Sequence, residues 1–485
     1  MKNLTTVLDK KLYGDNGICE KNHGFKTYIF IYLLTGLFFF VTFLAVYPGI
    51  YSYDASVQVL QFFGDKPITT HHPLLHTLFL CGCLKAGEIL FGSFQAGMAI
   101  HSVLQSALLG AVFSYVIWRM IQKKRPVIVV VLSYLFLVVN PYMQIFAFIT
   151  TKDILFGAAF LMLFLFAMDM LNDINGFFHS KWLQIRFCFI ALLTCFLRNQ
   201  GIYVLLFFGI IYFIYLLKKS GFQSFLHSFA AQWLLLLTIA AGSYLIVNGP
   251  VFTAIGVEKG DPKEMLSVPM QQLARAYQEE PELLTEEESA YICELIPTEY
   301  LEQYVSVNAD PVKNGFRTEV MKKDPGKFLS TWAAIGMKMP KVYIDSFLLG
   351  NWGYWYPLET QYWINYIVFD GAFMDREYNV LNIHRNSHFP QYEEYLRNIS
   401  LTPAFEKIPI LSILLNQAFP FWLMLVAAAF LIYFKKYKLL IPLTLILGYW
   451  GTLMLGPVTS VRYAFPLMIC VPSLFTLLLD SASSE

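Results

Sequence analysis

Apolar residues run along this chain in blocks of about twenty, separated by short polar breaks. A helix needs about 20 largely apolar residues to cross the hydrocarbon of a bilayer. Runs of that order cover residues 27–47, 95–118, 127–149, 154–171, 183–197, 202–217, 230–248, 410–434, 439–456 and 461–480. The pattern predicts an all-α polytopic membrane protein with about ten transmembrane helices. No stretch alternates convincingly enough to predict a sheet. The first run is too long for a signal-peptide core and lacks an A-x-A cleavage site, so it reads as an uncleaved span.

The run 73–93, PLLHTLFLCGCLKAGEILFGS, fits less simply. It carries Lys85 and Glu88, three apart on a helix. As a span it would invert everything after it. It reads instead as an interfacial helix lying on the outer surface. Between 249 and 407 the pattern changes again. Amphipathic helices are expected over 270–306 and 326–349, and NWGYWYP (351–357) is a Trp/Tyr cluster suited to a membrane interface. The chain therefore divides into a transmembrane module (1–248, with a first external loop at 48–93), a mainly helical domain (249–407) and closing helices (408–485).

Charge gives this layout a direction. Residues 249–407 hold 23 acidic and 14 basic residues, whereas the rest of the chain holds 11 and 21. Basic clusters lie at Lys2–Lys26, at Arg119 with Lys123, Lys124 and Arg125, at Lys181 with Arg186, at Lys218 and Lys219, and at Lys435, Lys436 and Lys438. Ten spans and a cytoplasmic N-terminus put every cluster inside and 249–407 outside, as the positive-inside rule requires. The basic residues are thus spent on topology, and no nucleic-acid partner follows from them. Cysteines add little. Only Cys293 falls in the long polar segment, Cys19 is near the N-terminus, and Cys81-Gly82-Cys83 has the wrong spacing for a CxxC site.

The same topology brings four polar constellations to the outer side. In YPGIYSYDASVQVLQFFGDKPITTHHPLLH (47–76), Asp54 lies near a membrane exit. A carboxylate there suits a general base or a divalent-cation contact, or it caps the helix that follows. Asp65, in GDKP, reads as an ordinary turn. His71 and His72 precede Pro73 and a helix start, where histidines can donate to a phosphate or simply cap. Thr151, Lys152 and Asp153 open the next run, either as a helix-start ion pair or as a second acid with a phosphate-binding lysine. Arg198 in LRNQG has no acidic neighbour in sequence and needs a partner in space, or snorkels. Arg462 in VRYAFP is the fourth. The chain has no Walker A loop, GxGxxG, HExxH or GxSxG, and His71, His72 and His76 lack a standard zinc spacing. Asn3-Leu4-Thr5 and Asn398-Ile399-Ser400 fit the short glycosylation sequon.

Taken in order, the first-loop acid, the H-P before an apolar helix, the K-D before a span, R-N-x-G and the late R-Y-x-x-P resemble the GT-C membrane glycosyltransferases. The nearer likeness is to the bacterial branch related to protein O-mannosyltransferases and lipid A aminoarabinose transferase, and within it to an uncharacterised family of multi-pass proteins. The resemblance covers about the first 220 residues; the remainder matches in layout. It implies two interfacial helices in the first loop, at 54–63 and 73–91, and a polyprenyl-phosphate-linked sugar transferred on the extracytoplasmic face to an acceptor the sequence does not identify. Residue by residue, it makes Asp54 the first-loop acid and Asp153 the second, with Mg or Mn as a cation the two could share. It gives the donor phosphate to His71, His72, Lys152, Arg198 and Arg462. Many protein O-mannosyltransferases have Asp-Glu in the first loop, whereas here Ala55 follows Asp54. The competing class is a flippase, polymerase or other transporter of lipid-linked sugars, which would place its polar residues at the bilayer midplane in broken or repeated helices.

Overall fold

The computed structural model describes residues 24–64, 66–220, 228–357, 369–401 and 408–482. Among them the chain is helical, and its only β pairing is in isolated bridges. Helix α1 spans Phe25–Val46, α2 Tyr53–Phe63, α3 Leu74–Phe91 and α4 Phe94–Gln122. Helix α5, Val127–Tyr134, runs on as a π turn to Val139 and bends by 45° into α6, Pro141–Phe148. The bend has a local cause: Pro141 cannot continue the ladder, and the Asn140 side chain caps the new helix by accepting from the Tyr142 N–H at 3.0 Å. Then follow α7 (Lys152–Asn172), α8 (Lys181–Leu197), α9 (Gly201–Ser220) and α10 (Phe229–Ile246). The chain closes with α11 (Phe419–Tyr433), α12 (Leu440–Leu453), α13 (Val461–Met468) and α14 (Val471–Ala482).

Seven helices among the described residues are long and apolar enough to cross a membrane, or eight if the bent α5–α6 pair is one span. This is the architecture of a multi-pass membrane protein. One of the seven is α3, and its placement is unlike the others. Let the upper end be that at which α1 finishes. There Ile50 pairs with Ile149, and α7 begins. At the opposite end Arg119 of α4 is paired with Asp169 of α7. The α4 side chain of Gln105 donates to the carbonyls of Ala147 (3.0 Å) and Ile149 (2.8 Å), so it marks the upper level. The stretch 94–104 therefore stands roughly 15 Å beyond that level. Helix α3 starts at the upper level and rides back along this extension. Its Gly87 meets Gly97 so closely that a Cβ would sit 2.1 Å from the Gly97 nitrogen. Both ends of α3 thus lie at or beyond the end at which α1 finishes, while its apolar length alone would allow a crossing.

The two amphipathic stretches of the polar segment are each broken at prolines. Helices 267–279, 286–295, 325–338 and 340–350 replace them, with Pro281, Pro297 and Pro340 at the joints. They close on a core of their own that includes Met270, Leu273, Ile292, Leu295, Phe328 and Ile335. NWGYWYP does not simply present aromatic rings. The buried Tyr354 hydroxyl donates to the Val458 carbonyl and accepts from the Ser460 N–H, each at 3.1 Å. Asn351 donates to the Met454 carbonyl at 3.0 Å. The cluster therefore clamps the loop that leads into α13. Residues 369–401 return to the bundle, where Asn386 donates to the Tyr47 carbonyl and Ala372 to that of Tyr51 (2.8 and 2.7 Å).

Candidate functional site

Two loops zip together beneath the upper end. The Ile50 N–H donates to the Phe148 carbonyl (2.8 Å), and Thr150 returns a bond to Ile50 (3.0 Å). Ser52 then bonds Thr150 twice, backbone to hydroxyl at 3.0 Å and hydroxyl to carbonyl at 2.8 Å. The path demands a glycine at 49: its φ is 144°, and a Cβ there would lie 2.1 Å from the Ser102 hydroxyl oxygen. The zip sets the first turn of α2 beside the first turn of α7. Ser52 is the N-cap of α2, accepting from the Ala55 N–H. Asp54 is thus not the cap that its position suggested, and its carboxylate faces other groups.

Those groups come from three remote parts of the chain. The Lys152 ammonium donates to Asp54 at 3.1 Å and to the His72 Nδ1 at 3.3 Å. Arg462, in the first turn of α13, approaches both Asp54 oxygens at 3.4 Å and donates to the Tyr463 hydroxyl at 2.8 Å. An ammonium can only donate, so His72 Nδ1 is unprotonated and its Nε2 carries the hydrogen. Burial alone would push the Asp54 carboxyl up, but Arg462 and Lys152 outweigh it and hold it well below the carboxylate range. Burial, reinforced by the Lys152 charge, holds His72 well below its ordinary value. Asp54, Lys152, His72 and Arg462 therefore form one cluster. Asp54 is anionic and His72 is neutral near pH 7. The two cations outnumber the carboxylate.

The other expected residues lie at different depths. His71 stacks edge-on against His72 at 4.5 Å but is exposed, and its electrostatic neighbours include Glu264 and Lys313 of the polar domain. The domain reaches it through a short pairing, Thr70 to the Glu258 carbonyl at 2.8 Å and Glu258 to that of Ile68 at 2.9 Å. Asp153 and Arg198 form a separate, closed ion pair with each other. The Arg198 guanidinium also donates to Gln200 at 2.7 Å and packs over Tyr463, Tyr449 and Phe156 at 4.7, 5.6 and 5.8 Å. An arginine so enclosed is not presented to a phosphate, which departs from its expected role. Tyr463 links the two sets, and the sequence had offered it only as a letter in R-Y-x-x-P. Asp65, Cys19 and the Asn3 sequon lie outside the described residues.

A shared cation at Asp54 and Asp153 fits poorly. Each carboxylate already faces protein cations, and no group of three or more His, Cys, Asp or Glu side chains among the described residues is placed to hold an ion. A largely apolar cavity of about 970 Å³ opens farther along the bundle, lined by Leu132, Phe136, Val139, Leu415 and Phe475 among others. The Phe146–Phe465 contact, at 4.8 Å, joins α6, which contributes to that wall, to α13, which carries Arg462.

A family model described as a family of unknown function, DUF6020, matches residues 64–485. No curated protein and no solved structure matches the chain.

Proposed function

We propose that the chain, which belongs to DUF6020, is an integral membrane glycosyltransferase of the GT-C kind. It moves a sugar from a polyprenyl-phosphate donor to an acceptor on the extracytoplasmic face. The observation that carries this reading is the Asp54 cluster: one carboxylate between two cations, drawn from α2, α7 and α13, at one end of a helical bundle. Ionisable groups at a membrane border are expensive unless they serve a site. Their concentration at the upper end, away from the middle of the bundle, supports transfer over transport.

The chemistry uses this chain's own residues. The bond from the anomeric carbon to the phosphate oxygen breaks as the acceptor oxygen bonds that carbon from the opposite side, an inverting displacement. Lys152, Arg462 and the Nε2–H of His72 face the negative charge that collects on the departing phosphate. The acceptor's hydroxyl proton passes to Asp54. A strongly neutralised carboxylate is a weak base. A bound phosphate would compete for the same cations, and that raises the basicity of Asp54 only when the donor is present.

In this reading ten passes cross the membrane: α1, α4, α5–α6, α7, α8, α9, α10, α11, α12 and α13–α14, while α2 and α3 stay at the outer interface. The N-terminus is cytoplasmic and 249–407 extracytoplasmic. Membranes containing the protein, which supply their own acceptors, should consume a radiolabelled polyprenyl-phosphate sugar. Membranes with Asp54→Asn at equal protein level should not. Equal consumption by both would sink the assignment.

A further inference from the structure

Three polar pairs, each four residues apart, come from α2, the start of α3 and α4. Asp54 and Gln58 share a face of α2. His72 and His76 straddle the start of α3. His101 and Gln105 share a face of α4. Gln58, His76, His101 and Gln105 are each 1% exposed or less. One direct hydrogen bond joins them, between His76 Nδ1 and the Gln58 side-chain oxygen at 2.9 Å. An amide oxygen only accepts, so Nδ1 carries the hydrogen and His76 Nε2 is a bare acceptor. That atom has no protein partner. Neither does the Gln58 amide nitrogen, the Gln105 oxygen or either ring nitrogen of His101. The His76 and His101 rings stand 6.0 Å apart, edge to face.

Buried donors and acceptors left in this way are satisfied by internal water, which needs two to four polar partners. Here both donors (Gln58, one His101 nitrogen) and acceptors (His76 Nε2, Gln105, the other His101 nitrogen) are left over among the described residues. The group is also oriented. Gln58 sits one turn from Asp54 on α2, and His76, in the first turn of α3, follows His72 in the preceding loop by four residues. Their hydrogen bond therefore fixes the rotation of α2 against α3, and with it the separation of Asp54 and His72.

We infer that internal water fills an annex of the Asp54 site among these groups, and that Gln58 and His76 are positioning residues for Asp54 and His72. The inference rests on the transfer reading only for its effect on rate. The water itself can be tested without activity. Hydroxyl-radical labelling of the full-length protein in detergent should modify His76 and His101 well above the dry-core residues Phe160 and Phe164. Labelling at the dry-core level would overturn the annex.

For positioning, Gln58→Leu with His76→Leu replaces both partners of the bond with apolar groups of similar size, which spares the penalty of stranding either one. The expected result is a thermal midpoint close to wild type, with kcat down on the order of tenfold to a hundredfold and donor KM little changed. His76→Leu alone strands the Gln58 amide and should lower the midpoint as well, and His76→Gln, which can bond Gln58, should restore most of the rate. An unchanged kcat, or a kcat that falls only in step with the thermal midpoint, would overturn the positioning role. If the wild-type protein transfers no sugar, the proposed function and the positioning role fall together, while the labelling result still decides the annex.

Discussion

Lys152 and Asp153 are consecutive residues that belong to two different ion pairs. Side chains one residue apart on a helix point about 100° away from each other. Lys152 turns outward to Asp54 and His72, and Asp153 turns inward to Arg198. The two environments differ in access and in balance. Asp54, Lys152 and Arg462 side chains are 22%, 14% and 28% exposed, whereas Asp153 and Arg198 are 0% and 5%. The outer set has two cations for one carboxylate. The inner set is matched one to one and roofed by Tyr463, Tyr449 and Phe156. A surplus of positive charge that solvent can reach is suited to an incoming anion. A closed, neutral pair is suited to holding α7 and α8 together.

The largest expected effect tests the inner pair. Arg198→Met strands the Asp153 carboxylate in the core, where removing one partner of a buried pair typically costs about 3–5 kcal/mol. Thermal unfolding in detergent should show the loss, and Arg198→Met with Asp153→Leu should recover most of it. A single variant as stable as wild type would break the distinction between the pairs. Asp54→Asn should do the reverse. Its unfolding should change by about 1 kcal/mol or less, while sugar transfer falls by roughly a hundredfold or more, the scale of a lost general base. A stability loss equal to that of Arg198→Met would make Asp54 a structural residue as well. Smaller again is Lys152→Met. Losing one charge-assisted contact to the donor phosphate should raise donor KM by roughly tenfold to a hundredfold, following from about 1.5–3 kcal/mol for a hydrogen bond to a charged group. Lys152→Arg should lie between the two.

These contrasts also show how far the sequence could be read. The helical architecture followed from the apolar blocks. Asp54, Lys152, His72 and Arg462 were each visible as polar residues on one side of a ten-span layout, because membranes make such residues conspicuous. The separation of Asp153 and Arg198 from this set was not visible. It depends on which way Lys152 and Asp153 turn from one helix start, and that is decided by the Ser52–Thr150 zip and by the rings around Arg198. Sequence spacing also suggested Asp54 as a cap; the helix begins two residues earlier than that would require, and Ser52 takes the role. Gln58 and His101 had no signal of their own. A buried polar residue on a mostly apolar helix resembles an interfacial one until its neighbours are known.

The smallest effect belongs to His72, and its sign sharpens the outer site. In the native protein burial and Lys152 keep this imidazole from protonating at its ordinary pH. In the unfolded chain it takes a proton near pH 6.5. As pH falls through that value the unfolded state binds the extra proton, so stability declines until the native His72 can itself protonate. The slope for one proton is at most about 1.4 kcal/mol per pH unit. The depressed Asp54 carboxyl gives a loss of the same sign but only below about pH 3.9, where its unfolded counterpart begins to protonate. Between pH 7.5 and 5.5, then, His72 should contribute and Asp54 should not. Thermal midpoints across that interval should fall more steeply for wild type than for His72→Gln, with Asp54→Asn separated from wild type by a near-constant offset. If His72→Gln keeps the full slope, the proton is taken up elsewhere, and His72 is not the neutral donor that the Lys152 contact requires.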